Sequence, residues 1–195
     1  GKFLRTSFYD DGTFKQSKWR GTSVPHCAIR GMYFATHYYN WYHVAPEEEI
    51  VRYVEDLALW GVNYIAVVFP FIDLKGWDDS NTDASLVQVR KIMKIAKKVG
   101  LKVGLLVVPN SQFMDTPEFM RAVPNPDPTG RRGNHGVNLC PSIPEAKELI
   151  IYNYDKLFEK FSDIGIDIVG MWPYDEGGCA CEECYPWGAK GFLMI

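Results

Sequence analysis

Two carboxylates stand next to each other at the end of an apolar run, where they could perform acid–base chemistry. Asp175 and Glu176 follow residues 166–172, and the rings of Trp172 and Tyr174 precede them. Apolar rings cover the flat face of a pyranose and exclude water, and dry surroundings raise the pKa of a carboxyl group toward neutral pH. The segment therefore predicts a sugar-cleaving site, with Trp172 and Tyr174 binding substrate. The alternative is that Asp175 caps a following helix and Glu176 is solvated.

The adjacency of the two acids restricts the mechanism. Neighbouring side chains on a regular strand point to opposite faces, so both acids reach one site only where the strand breaks into a loop. Pro173 before the pair and Gly177-Gly178 after it favour such a break. Two carboxyl groups that flank a glycosidic bond stand about 5–5.5 Å apart in retaining enzymes and about 6.5–9.5 Å apart in inverting enzymes. Consecutive acids suit substrate assistance better: the sugar's acetamido oxygen attacks C1, Asp175 orients that amide and Glu176 protonates the leaving oxygen.

Four of the five cysteines are spaced for metal binding. Cys181 and Cys184 have the C-x₂-C spacing of many zinc sites, and Cys179 adds a third thiolate. Cys140 directly precedes a predicted helix, which puts it on the same rim of the predicted sheet as the other three. We expect these four to bind a structural zinc ion, and we expect catalysis to need no cofactor. The alternative is one disulfide, or reduced thiols, in a tight loop.

Aromatic and amide side chains in two connections are candidates for the wall of a sugar site. His37, Asn40 and Trp41 belong to a ring-rich segment, residues 37–43, after the first predicted strand. Asn110 begins a long Pro- and Gly-containing connection, and connections of this length are typically functional or disordered. We expect these four residues to bind substrate. The alternative for residues 37–43 is an ordinary packed loop.

Strands and helices alternate along the chain, and this alternation positions the candidate residues. The predicted elements are strand 29–34, helix 46–60, strand 63–69, helix 83–99, strand 102–108, helix 142–165 and strand 166–172. The alternation implies a parallel sheet, either an open flavodoxin-like sheet or a (β/α)8 barrel. Long, ring-rich connections and the lack of a glycine-rich phosphate turn favour the barrel.

The length divides the chain into two predicted parts. A complete barrel needs about 250 residues, and this chain has 195. We expect an α/β fold in which residues 25–195 form the first half of a TIM (β/α)8-type barrel, about four β/α units, with the remainder of the barrel missing from this chain. Residues 1–24 are expected to form a hairpin and linker around the turn Asp10-Asp11-Gly12.

The composition restricts the partners. A net charge of −3 without a basic stripe argues against nucleic acid as a partner. The chain contains no run of about 18 apolar residues, so we expect no membrane span. Aromatic residues make up 14% of the chain, which suits a carbohydrate-binding surface. The expected partner is an oligosaccharide or a glycoconjugate.

Residues 28–34 resemble the first barrel strand of the family 20 glycoside hydrolases, the β-N-acetylhexosaminidases, which carry Arg-Gly where this chain has Arg30-Gly31. Asp175-Glu176 ends the fourth strand, as the Asp-Glu pair of that family does. The resemblance implies a hydrolase of terminal N-acetylhexosamine, in which Arg30 holds sugar hydroxyls, Asp175 orients the acetamido group and Glu176 is the acid/base. Without the resemblance, Arg30 would be expected to pair with a carboxylate such as Asp167.

The chain also resembles related barrels, which leaves other functions open. The family 67 α-glucuronidases imply a uronic-acid sugar and a second carboxylate on a later strand, and the family 163 glycosidases carry Cys-rich loops. These resemblances imply a periplasmic or secreted protein, although the first residues contain no apolar signal region. A hypothesis from another class is a non-catalytic carbohydrate-binding or zinc-stabilised domain.

Overall fold

Parallel strands organise the computed structural model, which describes residues 24–124, 137–173 and 178–195. The strands are β1 (Gly31–Phe34), β2 (Tyr64–Val68), β3 (Lys102–Val107), β4 (Ser111–Gln112), β5 (Val137–Asn138) and β6 (Ile168–Met171). Four of them form one sheet in the order β1-β2-β3-β6, each parallel to its neighbours. The four predicted strands are thereby confirmed, each slightly shorter than expected.

The strand order separates the two expected topologies. In a flavodoxin-like sheet the first strand lies between the second and the third. Here each strand of the main sheet lies beside the one that precedes it along the chain, which is the order of a (β/α)8 barrel. The chain therefore forms four consecutive strands of the barrel type, joined by helices. The predicted hairpin lies in residues 1–23, outside the described residues.

The helices lie where the apolar spacing predicts them. They are α1 (Trp41–Val44), α2 (Glu47–Leu59), α3 (Ser80–Lys98) and α4 (Pro144–Phe161). Helix α3 begins three residues earlier than expected, because an Asp79 carboxylate oxygen accepts a hydrogen bond from the Asn81 amide, 3.0 Å away, and caps the helix. Helix α1 was not predicted, since four residues are too few to show a helical period.

One face of the sheet is covered by helices and forms the core. Phe34, Ile65, Val67, Val103 and Leu105 alternate onto this face and are 0–1% exposed. Buried apolar residues from three helices pack against them, namely Ile50 and Val54 of α2, Leu86, Val89, Met93 and Ala96 of α3, and Leu157 and Phe161 of α4. Helices on a single face are expected for a barrel wall, since the other face becomes the barrel interior.

The opposite face combines glycines with large rings. The ring of Tyr64 on β2 lies over Gly31 of β1 and Gly104 of β3, so that a Cβ atom at either glycine would overlap it. Glycine at these two positions therefore permits close packing of an aromatic ring across three strands. Ala66, 3% exposed, is in register with Gly104 and keeps the middle of this face shallow.

The connection between β3 and α4 carries its own small sheet. Strands β4 and β5 pair antiparallel, with Ser111 opposite Asn138, and an isolated bridge joins Arg121 to Leu139. The pattern Ser142-Ile143-Pro144-Glu145 predicts a capping box at the start of α4. The prediction is wrong, because Ile143 occupies the cap position, without a side-chain hydrogen bond. Ser142 Oγ lies instead 2.9 Å from Cys140 Sγ. Among the described residues, no helix combines the length and the apolar character that crossing a bilayer requires.

Candidate functional site

The carboxyl ends of β1, β2, β3 and β6 lie on one rim of the sheet, because the four strands are parallel. Barrel enzymes build their sites on the connections that leave this rim. Five residues predicted to bind substrate follow strands of this sheet and lie within the described part of the chain, namely His37, Asn40, Trp41, Asn110 and Trp172.

A ring pair joins the two edge strands at this rim. The rings of Tyr33 on β1 and Trp172, directly after β6, meet edge to face with centroids 5.9 Å apart. In a flat sheet, three strand spacings would separate β1 from β6 by about 14 Å. The contact therefore requires a concave face. Ala66 is in register with Tyr33, so the side chain next to the Tyr33 ring on β2 is small.

Tyr33 also contacts His37, with Oη and Nε2 2.7 Å apart. Burial, and then the nearby Tyr38, raise the pKa of Tyr33 to about 12, so its hydroxyl stays neutral near pH 7. Burial lowers the pKa of His37 despite the opposing effect of Asp73, which favours a neutral imidazole. Tyr33, His37 and Trp172 together are called the ring wall below. The ring wall contains one flat indole, one neutral hydroxyl and one imidazole that favours its neutral form.

The backbone that carries His37 is held in an unusual conformation. Tyr38 and Tyr39 have φ angles of 53° and 51°, in the left-handed region that bulky residues seldom adopt. The Tyr38 amide donates to Asp73 Oδ2 at 2.6 Å, which ties the connection after β1 to the one after β2. The rings of His37 and Tyr38 pack edge to face, 4.4 Å apart. Such backbone strain is common at functional sites, where surrounding contacts maintain it.

Asn40 and Trp41 lie outside the ring wall. Asn40 precedes α1, and its buried Oδ1 has no hydrogen-bond partner among the described residues. The Trp41 ring packs edge-on against Tyr42 and Tyr53, at 5.1 Å and 5.5 Å. Its Nε1 donates to Glu49 Oε2 at 3.3 Å. The indole ring of Trp41 therefore packs against residues of α1 and α2, and the structure does not bring it into contact with the ring wall.

Asn110 holds two connections together. Its side chain is 0% exposed, and Nδ2 donates to the carbonyls of Leu139 and Gly178, at 3.2 Å and 3.1 Å. The Leu139 amide donates back to the Asn110 carbonyl at 2.8 Å. The expected role in substrate binding does not fit this position, since both amide hydrogens are used by the backbone. Asn110 is a positioning residue for the segment that follows β6.

Arg30 lies at the opposite end of the sheet, which corrects the role that the resemblance implied. It precedes β1, and its Nε donates to the Gly61 carbonyl at 2.6 Å. Its Nη1 donates to the carbonyl of Cys27 at 2.7 Å. The guanidinium therefore binds backbone carbonyls at the amino-terminal end of the sheet, away from the ring wall. The alternative pairing with Asp167 is also wrong, because Asp167 forms an ion pair with Lys97 at 2.6 Å.

The two predicted catalytic acids, Asp175 and Glu176, and the substrate-binding candidate Tyr174 lie outside the described residues. Hydrogen bonds hold the described residues on either side of this segment. The Trp172 amide donates to the Val107 carbonyl at 3.1 Å and extends the β3–β6 ladder by one residue. The Gly178 carbonyl accepts from Asn110.

The structure brings the four candidate cysteine ligands together. The sulfur atoms of Cys140, Cys179, Cys181 and Cys184 all lie within 4.8 Å of one another. Every one of these cysteines has a free thiol. Burial would raise the pKa of Cys181, but hydrogen bonds from the Ser142 hydroxyl and the Cys184 amide lower it to about 6. Burial raises the pKa of Cys184, so the four thiols are chemically unequal.

No protein-family profile and no curated protein sequence matches the chain. Its structure is similar to a variant of the GH36 α-galactosidase AgaA from Geobacillus stearothermophilus, with 18% identity over 73% of this chain and 21% of that chain (TM-score 0.47). It is similar to the chitobiase FjGH20 of Flavobacterium johnsoniae, with 16% identity over 87% and 26% of the two chains (TM-score 0.47). A β-N-acetylhexosaminidase is similar at 16% identity over 78% and 36% (TM-score 0.49).

This chain thus spans about a fifth of the galactosidase and about a quarter of the chitobiase. The TM-scores lie below 0.5. The assignment to the barrel type therefore rests on the strand order and the one-sided helices, and the function has to be argued from the site.

Sequence reasoning missed several residues of this rim. Tyr33 is part of a strand, and its role becomes visible only from its contacts with Trp172 and His37. Asp73 follows β2 in a short 3₁₀ helix, and its bond to Tyr38 spans 35 residues of sequence. The sequence pattern around Ser142 predicted a helix cap and not a contact with the cysteines. The proximity of Ser142 to Cys140 in sequence was the better indication.

Proposed function

We propose that this chain forms part of a glycoside hydrolase whose acid/base pair is Asp175-Glu176. The observation that carries the proposal is the ring wall. Tyr33, His37 and Trp172 meet at the carboxyl end of β6, and the two acids follow within four residues along the chain. A flat indole beside neutral hydrogen-bonding tips suits one face and the hydroxyl groups of a pyranose.

Each member of the ring wall has a chemical role in this proposal. Trp172 covers the apolar face of the sugar ring and excludes water from it. Tyr33, which is 40% exposed, and His37 supply hydrogen-bonding groups for the hydroxyl groups of the sugar. The raised pKa of Tyr33 and the lowered pKa of His37 keep both groups uncharged, which limits the desolvation cost of closing a sugar over them.

The proposed reaction is substrate-assisted hydrolysis of a terminal N-acetylhexosamine. The acetamido oxygen attacks C1 while the bond from C1 to the leaving oxygen breaks, and Glu176 gives its proton to that oxygen. Asp175 orients the acetamido group and balances its developing positive charge. Water then attacks C1, Glu176 takes a proton from the water, and the bond between C1 and the acetamido oxygen breaks. Glu176 thereby regains its acid form.

Hydrolysis of aryl N-acetylglucosaminide by the protein in its complete natural length tests this function. We expect turnover by the wild type and a loss of at least about 100-fold in kcat for Glu176→Gln, because general acid catalysis contributes about 10²–10⁴-fold. Asp175→Asn should lower kcat as well. Glu183→Gln is the matched control, since Glu183 is exposed in the following loop and should leave kcat unchanged.

Three results would contradict the proposal in different ways. Unchanged turnover in correctly folded Glu176→Gln protein removes Glu176 from the mechanism. Hydrolysis of aryl glucuronide with none of the N-acetylglucosaminide rejects acetamido assistance and supports a conventional second carboxylate elsewhere. Sugar binding without hydrolysis of either glycoside supports a non-catalytic carbohydrate-binding domain.

A further inference from the structure

Two separate segments of the chain bring four thiols to one point beside the rim. Cys140 ends the connection between β3 and α4, whereas Cys179, Cys181 and Cys184 follow β6. We propose that these four cysteines bind one zinc ion as thiolates and that the ion joins the two segments. The proposal concerns stability and loop position, and it stands independently of the hydrolase activity.

The distances between sulfur atoms fit a tetrahedral metal site. Cys140 Sγ lies 3.7 Å from Cys181 Sγ and 3.8 Å from Cys184 Sγ. With a zinc–sulfur bond of about 2.3 Å, the edge of a regular tetrahedron of sulfur atoms is about 3.8 Å. A disulfide would need a separation of about 2.05 Å. These two separations match the edge of a four-thiolate zinc site, and all four sulfur atoms lie within 4.8 Å of one another.

Burial of the cluster favours a structural site. Cys140, Cys179 and Cys184 are 3%, 2% and 0% exposed, and Trp187 packs in the same small core. Four protein ligands complete a tetrahedral shell and leave no open position for substrate or water, which is the arrangement of structural zinc. Soft thiolates select zinc over magnesium or calcium, which prefer oxygen ligands.

A hydroxyl group next to two of the four sulfur atoms can donate a hydrogen bond to a thiolate. The Ser142 hydroxyl lies 2.9 Å from Cys140 sulfur and 3.7 Å from that of Cys181. Such outer contacts orient ligands and support a metal–thiolate centre.

The zinc ion would act together with Asn110. Asn110 links the connection after β3 to Gly178 through a hydrogen bond, and the metal would link the end of the same connection to Cys179, the next residue. The Ala180 amide adds a hydrogen bond to the Val123 carbonyl at 2.9 Å. The segment after β6 is thus attached at three successive residues, and the metal supplies the strongest of the attachments.

Metal analysis of the purified protein by inductively coupled plasma mass spectrometry tests the site directly. We expect one zinc per chain in the wild type, and the visible absorption of a tetrahedral cobalt–thiolate centre after exchange with Co²⁺. Cys140→Ser and Cys181→Ser should each lose stoichiometric zinc. Cys27→Ser is the matched control, because Cys27 is exposed and precedes β1; it should keep one zinc per chain.

Alkylation of the wild type gives a second measurement that does not depend on whether a variant folds. Iodoacetamide should modify Cys27 alone in the native protein and all five cysteines after a chelator has removed the metal. Three outcomes overturn the proposal: a folded wild type without zinc, stoichiometric iron in place of zinc, or a disulfide among the four cysteines by mass. None of these readouts involves a glycoside, so their failure is distinct from a failure of the hydrolase proposal.

Discussion

Tyr33 and Trp172 contact each other edge to face across the concave side of the sheet, with ring centroids 5.9 Å apart, although they belong to opposite edge strands. Ala66 of β2 is in register with Tyr33, and its small side chain keeps the surface beside the Tyr33 ring shallow. The Tyr33–Trp172 contact has a structural and a functional consequence. The two rings link the edges of the curved sheet, and they place an indole where the chain continues toward Asp175.

Substitution of Trp172 tests whether the ring wall binds substrate. Burying an aromatic side chain is worth about 1.5–3 kcal/mol, so Trp172→Ala should lower kcat/KM by roughly 10–150-fold. Most of the change should appear in KM, because a stacking platform binds ground state and transition state alike. Steady-state kinetics on aryl N-acetylglucosaminide measure the two constants.

Trp60→Ala is the matched control for this experiment. Trp60 directly follows α2, at the opposite end of the sheet from the ring wall, and its side chain lies at the surface with an exposed fraction of 46%. It should leave KM unchanged. Equal losses in the two tryptophan variants, or a normal KM in Trp172→Ala, would argue against the ring wall as a sugar platform.

The general architecture was accessible from the sequence because local patterns determine it. The helical spacing of Leu86, Val89, Met93 and Ala96 predicts a buried stripe, and all four residues are buried in the core. The cysteine set was accessible for a related reason. Connections that leave the carboxyl ends of parallel strands share one rim, which brings Cys140 near Cys181 without any knowledge of side-chain geometry.

The individual roles of polar residues were less accessible. Arg30 and Asn110 both use their side-chain hydrogens on backbone carbonyls, and which carbonyls lie within reach depends on how the chain turns far away in sequence. Ser142 follows the same rule, since contact with Cys140 replaces the helix cap that its spacing predicted. Tyr33 was missed because a strand tyrosine gives no signal until the fold shows which rings it contacts.

Asn110 gives a prediction about stability. Asn110→Ala removes both donors from the buried carbonyls of Leu139 and Gly178, and each unsatisfied buried group costs about 1–3 kcal/mol. We expect the free energy of unfolding in urea to fall by about 2–4 kcal/mol. Asn81→Ala, at an exposed position in the first turn of α3, is the control and should change it by less than about 0.5 kcal/mol. A similar small change in both variants would reject the positioning role.

The lowered pKa of His37 predicts how stability changes with pH. Burial disfavours the charged imidazole, and His43 opposes protonation as well, whereas Asp73 favours it. Tyr33 and Tyr38 also face the ring, and the raised pKa of Tyr33 keeps its hydroxyl neutral near pH 7. Below pH 6.5 the unfolded chain binds a proton that the folded protein resists, so the folded state loses stability as the pH falls from 6.5 toward the lowered pKa.

Thermal unfolding between pH 8 and pH 5 measures this linkage. The melting temperature of the wild type should fall across that interval, and His37→Gln should show a smaller fall. Part of the fall should persist in the variant, because burial also lowers the pKa of His43. His26→Gln is the control, since His26 is exposed, and it should keep the slope of the wild type. A steeper fall in His37→Gln, or equal slopes in all three proteins, would mean that His37 is not held neutral by its surroundings.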